Sequence, residues 1–173
     1  DKLKKLHRLG FTAAHIVPDS GIFKGQTALV QLNKIGTVLN SAVSQNLAYE
    51  VDGWGSSKYP NALLGVVALM RQTFIDADWY GEAVERTNQY SAFNEPLRIN
   101  RDLEVLNHWI TNNFPFIFET NHELTVLRSF RIAREFQLNI WIFGSGYEYR
   151  RISEIAAENP FIILPLNFAT SST

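Results

Sequence analysis

Residues 140–143 read Ile-Trp-Ile-Phe and residues 161–164 read Phe-Ile-Ile-Leu, and these two short runs decide the fold class. Every residue in both runs is apolar, whereas a strand with one face in water alternates polar and apolar residues. Uniformly apolar strands are typical of a parallel sheet that has both faces covered. The helix predicted between the two runs, over residues 148–158, makes the connection a right-handed β–α–β unit. We therefore predict an α/β fold.

The alternation of strand and helix extends over most of the chain. The apolar run from Pro115 to Glu119 predicts a strand before the first β–α–β unit, and residues 11–17 predict a short strand that ends at Pro18. Apolar residues at helical spacing predict several helices. They cover residues 1–9, residues 61–88 after Pro60 at the first helical position, residues 101–112, and the stretch after Asn121, which is predicted to cap its helix.

The predicted core strands are about half of the eight that a (β/α) barrel contains, and a barrel needs about 250 residues. We expect residues 1–173 to form one domain, a partial TIM-type barrel with parallel strands and outer helices. It would contain a β-rich insertion at about 19–55, a helical region at about 60–112 and βα units at 115–166. Because half a barrel leaves two sheet edges unpaired, the expected partner is the remainder of the barrel or a second subunit.

Composition excludes several classes of protein. The chain has 16 basic and 17 acidic residues and a formal net charge of −1, so it lacks the basic surface of a nucleic-acid-binding domain. It has no apolar run of about 18 residues, which argues against a membrane partner. The absence of cysteine excludes disulfides, thiolate catalysis and cysteine-ligated zinc. None of these features identifies a cellular compartment, so the localisation stays open.

A family resemblance rests on several segments that occur in the family's own order. They are GFTAAHIVP (10–18), GIFKG (21–25), YPNALLG (59–65), LMRQ (69–72), DADWY (76–80), PFIFE (115–119), RIAREF (131–136), IWIFGSG (140–146) and FIILP (161–165). Together they cover most of the chain and resemble the amidohydrolase superfamily, in particular its imidazolonepropionase-like branch. The resemblance implies a (β/α) barrel that hydrolyses carbon–nitrogen bonds other than peptide bonds, with zinc or iron in the complete enzyme.

The sequence departs from this family at the positions of the expected metal ligands. No His-x-His motif is present, and the strand that carries it in the family has no counterpart in residues 1–173. A histidine is expected after Phe118 and another after Phe143, but the chain has Glu119-Thr120-Asn121 and Gly144-Ser145-Gly146 there. We therefore predict that this segment binds no metal or other cofactor and is not catalytic by itself. The alternatives are a degenerate, non-catalytic barrel module for assembly or ligand binding, and a flavodoxin-like small-molecule binder.

Two carboxylates are candidate catalytic residues because they lie at or just beyond the carboxyl ends of predicted strands, at the rim where barrel enzymes carry their chemistry. Glu119 could act as a general base or hydrogen-bond to a residue that binds the metal. Alternatively, it accepts hydrogen bonds from the backbone amides of Asn121 and His122 at a helix start. Asp19 follows the strand over 11–17, and there a plain turn is the alternative.

Three residues are candidates for substrate binding. His15 could point into the barrel or be a hydrogen-bonded core histidine. His122 lies just past a strand end, which is also an ordinary exposed helix start. Ser145 lies in a glycine-flanked turn that could present amides to an anion, although glycine's ordinary role in turns favours a tight strand-to-helix turn. His7 and His108 lie on predicted helices, and we expect both at the surface.

Overall fold

The computed structural model describes residues 2–50, 59–89 and 97–165. These ranges contain five helices and eight strands, and strand and helix alternate from β6 onward. The helices are α1 (Lys2–Arg8), α2 (Leu63–Gln89), α3 (Arg101–Thr111), α4 (Glu123–Phe136) and α5 (Ile152–Ala157), with a short 3₁₀ helix (Glu148–Arg151) before the last. The strands are β1 (Ala13–Ile16), β2 (Phe23–Gln26), β3 (Ala28–Gln31), β4 (Val38–Asn40), β5 (Gln45–Ala48), β6 (Phe116–Glu119), β7 (Ile140–Phe143) and β8 (Phe161–Ile163). The predicted α/β class is confirmed.

The larger sheet has five strands in the order β2-β5-β6-β7-β8. The strands from β5 to β8 are parallel and follow one another in sequence order, while β2 pairs antiparallel with β5 at the edge. Right-handed connections between sequential neighbours place α4 and α5 on the same face of the sheet, as in a barrel wall. Within the described residues the sheet stays open, with β2 and β8 at its edges, so it does not form a closed barrel.

The strand predicted at residues 11–17 exists, but it does not belong to the parallel sheet. It forms β1, which pairs antiparallel with β3 in a separate three-stranded sheet of order β1-β3-β4. The fourth parallel strand is instead β5, which lies inside the stretch predicted as a β-rich insertion. The physical reason is that a short, mostly apolar segment such as Phe11 to Val17 fits either kind of sheet. The part of that insertion at 51–55 lies outside the described residues, as do residues 91–96 of the predicted loop and residue 166.

The hydrophobic core lies between the helices and one face of the larger sheet. Leu47, Phe116, Phe118 and Ile142 are fully buried on that face. They pack with residues of α2 and α4, namely Val66, Met70, Phe74, Val126 and Phe130. The helix predicted after Asn121 is thus present as α4, and its residues Val126 and Phe130 are buried.

The other face of the sheet is exposed over β7 and β8. Phe143 is 41% exposed and Phe161 is 70% exposed, and each has a register partner that also points to this face, Glu119 and Trp141 respectively. We call Trp141, Phe143, Phe161 and Ile163 the open face. The prediction that both faces of β7 and β8 are covered is wrong for the described residues, because the sequential strand order leaves no connecting helix for this side.

Helix starts differ from the predicted ones in two places. His122, not Asn121, is the N-cap of α4, and it forms a capping box with Thr125. Helix α2 begins at Leu63 rather than at Pro60. The described helices include none that is long and apolar enough to span a lipid bilayer.

Candidate functional site

A cluster of charged and polar side chains lies at the carboxyl ends of β5 and β6. Glu119 is the last residue of β6, and its Oε2 accepts a hydrogen bond from Lys24 Nζ at 2.8 Å. Its Oε1 accepts a hydrogen bond from Asn46 Nδ2 at 2.5 Å. We call Lys24, Asn46, Glu50 and Glu119 the rim cluster. Glu119 therefore lies at the predicted rim, but its partners are side chains of neighbouring strands and not the amides of Asn121 and His122.

Lys24 is the centre of the rim cluster. Its ammonium lies 2.8 Å from Glu119 Oε2 and 2.8 Å from Glu50 Oε1, and it donates to the backbone oxygen of Asp19 at 3.2 Å. Only 6% of its side chain is exposed. Burial by itself would lower the pKa of Lys24, but the hydrogen bonds and charges of Glu119 and Glu50 outweigh it and raise the pKa. The group therefore stays charged at neutral pH.

Glu50 ties this cluster to the loop before β2. Its Oε2 accepts the backbone N–H of Gly21 at 2.9 Å, while Oε1 binds Lys24. The hydrogen bond from Lys24 lowers the pKa of Glu50. Burial has a smaller, opposite effect, and the hydrogen bond from the Gly21 amide lowers the pKa further. Gly21 has φ +110, a conformation that residues with a side chain rarely adopt. Asp19 contributes only its carbonyl oxygen to this arrangement, and its side chain is not among the contacts.

Asn46 is a buried polar residue in the middle of the sheet. It is 1% exposed, and its Oδ1 has no hydrogen-bond partner in the described part of the chain. Its amide orientation is fixed, because only Nδ2 can donate to the Glu119 carboxylate. The rim cluster therefore contains one buried oxygen with an unused acceptor position.

His15 lies in the other sheet, on β1. Its Nε2 is 2.6 Å from Thr27 Oγ1, and Thr27 Oγ1 is 2.6 Å from Ser44 Oγ. Thr27 and Ser44 are buried, whereas much of His15 is exposed and only the ring edge with Nε2 is turned toward Thr27. Loss of solvation at that edge lowers the pKa of His15. The structure thus places His15 in a hydrogen-bonded network and in a different sheet from Glu119.

His122 is the N-cap of helix α4. Its Nδ1 accepts the backbone N–H of Leu124 at 3.3 Å and lies 3.3 Å from Glu123 Oε2. Glu123 is buried, and its Oε2 lies 3.8 Å from Arg150 Nη1. The position of His122 at the rim is as predicted, and its contacts are those of an N-cap.

The turn Gly144-Ser145-Gly146 is closed by Glu148. The carboxylate accepts the backbone N–H of Ser145 at 2.5 Å, the N–H of Gly146 at 2.9 Å and the Ser145 hydroxyl at 2.9 Å. Burial alone would raise the pKa of Glu148, but these hydrogen bonds outweigh it and lower the pKa. The amides that an anion would need are therefore already used, and the turn interpretation is favoured.

The remaining two histidines lie on helices, as predicted. His7 on α1 contacts the backbone oxygen of Leu32 through Nε2, and His108 on α3 contacts Asn112. Both are exposed. Neither contacts the rim cluster.

The residues present do not fit a metal ion. In residues 2–50, 59–89 and 97–165, no three histidine, aspartate or glutamate side chains are grouped closely enough to hold one. The two carboxylates that meet at the rim, Glu50 and Glu119, both bind the ammonium of Lys24. A zinc or iron ion of the kind that the family resemblance implies thus finds no ligand set in the described residues.

Sequence reasoning found Glu119 but missed Lys24, Asn46 and Glu50. These residues come from three separated parts of the chain, and only the pairing of β2, β5 and β6 brings them together. The available signal was Lys24 itself, a lone lysine between Phe23 and Gly25 in a strand-like segment. Its partners required knowledge of the register.

Comparison with known proteins agrees with this architecture. No protein-family model matches the chain, and no curated protein matches it. A solved structure does, that of an amidohydrolase from Thermotoga maritima MSB8, with a TM-score of 0.76 and 20% sequence identity. The match covers 91% of this chain but only 43% of that enzyme. The chain therefore has an amidohydrolase-like fold and spans less than half the length of the enzyme that it resembles.

Proposed function

We propose that this chain forms part of the barrel of an amidohydrolase-like hydrolase that acts on carbon–nitrogen bonds other than peptide bonds, and that it does not catalyse the reaction by itself. The observation that carries the proposal is the order of the parallel strands. Strands β5 to β8 follow one another in sequence, with an open apolar face on the side that would be the inside of a barrel. The fold similarity over 43% of a longer amidohydrolase supports it.

The substrate would bind at the carboxyl ends of the parallel strands, where barrel enzymes have their active sites. Glu119 and Asp19 are the candidate catalytic residues of this segment, and His15, His122 and Ser145 are its candidate substrate-binding residues. Of these, Glu119 has the strongest support, because it lies at that rim with 30% of its side chain exposed. Zinc or iron, if the complete hydrolase uses one, would be bound by residues elsewhere in the barrel.

The partner that we propose is the remainder of the barrel or a second subunit that covers the open face. An exposed edge strand such as β8 presents unpaired backbone groups, which further strands would pair. Hydrogen exchange distinguishes a β8 that is paired with a further strand from a β8 that is an exposed edge. We expect the amides of β8 to exchange more slowly in the complete protein that contains residues 1–173 than in the 173-residue chain. Equal exchange in both would contradict the partner proposal.

The hydrolase proposal is tested on that complete protein by metal analysis and by assays with cyclic amides and amidines. We expect about one or two equivalents of zinc or iron and measurable hydrolysis that a chelator abolishes. The Glu119→Gln variant should retain the metal and lose activity by about 100-fold if Glu119 acts as a general base. Neither bound metal nor turnover with any of these substrates would contradict the proposal.

A second candidate function is a degenerate barrel module that serves assembly or ligand binding without catalysis. The observation that favours it is the ion pair between Glu119 and Lys24, because it uses a rim carboxylate in a structural contact. This alternative predicts that the complete protein folds and assembles normally but has no hydrolase activity. Metal bound by two or more residues of this chain would exclude it.

A further inference from the structure

Three oxygen atoms from separate parts of the chain surround the ammonium of Lys24. They are Glu119 Oε2 at the end of β6, Glu50 Oε1 after β5, and the backbone oxygen of Asp19 before β2. An ammonium group has three N–H donors, so each donor of Lys24 has one acceptor. With 6% of its side chain exposed, Lys24 is a buried cation with a complete set of partners.

We infer that the ammonium of Lys24 is the permanent cation of this rim and holds the ends of β5 and β6 together in place of a bound metal ion. The inference does not depend on hydrolase activity. It explains why the described residues contain no metal-binding group although two carboxylates meet at one point.

The two carboxylates show why a cation is needed at this point. Both contacting oxygens lie 2.8 Å from the same nitrogen, so Glu50 and Glu119 lie within about 6 Å of each other, a range in which like charges destabilise each other's ionised form. The Lys24 ammonium replaces this repulsion with two attractive contacts. Glu119 is 30% exposed and Glu50 is 43% exposed, so Lys24 is the most deeply buried of the three charged side chains.

Without the lysine, the same atoms would form a set of hard oxygen ligands. Glu50, Glu119 and the Asp19 carbonyl would lose their shared partner. Calcium and other hard divalent cations bind such mixtures of carboxylate and backbone oxygens. The Lys24→Ala variant should therefore bind Ca²⁺ at a position where the natural chain does not.

The experiment measures thermal unfolding of the natural chain, Lys24→Ala and Lys24→Ala/Glu119→Gln, each with EDTA and with excess CaCl₂. We expect the natural chain to be insensitive to Ca²⁺. Lys24→Ala should unfold about 5–10 °C lower, since it leaves two paired carboxylates without a cation, and Ca²⁺ should restore at least half of the loss. The double variant should not respond to Ca²⁺. Lys34→Ala, at an exposed lysine between β3 and β4, is the matched control and should change nothing.

Two results would overturn the inference. One is a Ca²⁺- or Mn²⁺-dependent rise in the unfolding temperature of the natural chain that Glu119→Gln abolishes. The other is a Lys24→Ala variant as stable as the natural chain. If Lys24→Ala does not fold, titration of the natural chain and of Glu119→Gln with Mn²⁺, followed by broadening of backbone signals near residue 119, still decides the question. A metal bound elsewhere in a complete barrel would survive these substitutions, so failure here differs from failure of the hydrolase proposal.

Discussion

Over β7 and β8 both faces of the parallel sheet carry large apolar side chains, but the surroundings of the two faces differ. On β6 and β7, Phe118 and Ile142 point toward the helices and are fully buried. Phe143, the next residue after Ile142, points the other way and is 41% exposed. Residue type alone does not explain the difference, because both faces carry large apolar side chains. Sequential right-handed connections do explain it, since they place all their helices on one side.

The largest effect is expected from removing matched aromatic rings on the two faces. Phe118→Ala should lower the free energy of unfolding of the chain by about 3–5 kcal/mol, because it leaves a cavity in a packed core. Phe143→Ala should cost less than about 1 kcal/mol, because the ring is partly in water already. Urea unfolding monitored by circular dichroism measures both.

The pair also tests what covers the open face. If further strands cover it in the complete protein, the cost of Phe143→Ala should rise there toward that of Phe118→Ala. Equal costs for the two variants in the 173-residue chain would show that the faces do not differ in the way described.

The strongest predictions from sequence were those that depend on apolar content. Strands β6, β7 and β8 and the helices α4 and α5 were predicted close to their observed positions, because buried strands of this kind are continuous apolar runs. The open face was not predicted, because apolar residues that are exposed in this chain give the same sequence pattern as apolar residues that are buried. A larger barrel was inferred instead from the number of core strands, which is about half of the eight that a barrel contains.

The place of β5 in the parallel sheet could not be predicted from its composition. Its sequence begins with Gln45 and Asn46, both polar, and yet all of β5 is buried. Asn46 is compensated by Glu119, a residue far along the chain. A polar residue in a core strand depends on a partner that only the folded structure supplies. Lys24 and Glu50 were not predicted for the same reason, since only the fold brings them to the rim. Glu119 was recognised because it lies at the end of an apolar strand.

The next largest effect is expected from the buried polar network of His15, Thr27 and Ser44. Thr27→Val should lower the free energy of unfolding by about 2 kcal/mol, because the new methyl group cannot accept from the backbone N–H of Ser44 or bind His15. The change is nearly isosteric, so any loss reflects hydrogen bonding. Thr111→Val on α3, where the hydroxyl is exposed, is the control and should change stability by less than about 0.5 kcal/mol. Comparable losses in both variants would contradict the network.

A smaller effect concerns pH and His15, whose network joins the smaller sheet to the start of β5. Because loss of solvation lowers the folded-state pKa of His15, the neutral ring is the form that the fold favours. The resulting stability is present above the unfolded value of about 6.5 and is lost as pH falls through the lower folded-state pKa. The natural chain should therefore lose more stability between pH 7.5 and 5.5 than His15→Gln does. His108→Gln should behave like the natural chain, and the prediction is wrong if His15→Gln does so as well.

The smallest effect is expected from an ion pair on the outer layer, which has the same chemistry as the rim cluster in opposite surroundings. Arg71 on α2 binds Glu135 on α4 at 2.7 Å, and the two side chains are 45% and 40% exposed, whereas Lys24 is 6% exposed. Water and salt screen such a pair, so Glu135→Gln should cost about 0.5 kcal/mol at low salt and less at about 1 M NaCl. Glu119→Gln should cost more and respond less to salt, because its partner is buried. Equal costs and equal salt dependence for the two substitutions would show that burial of Lys24 does not strengthen the ion pairs of the rim cluster.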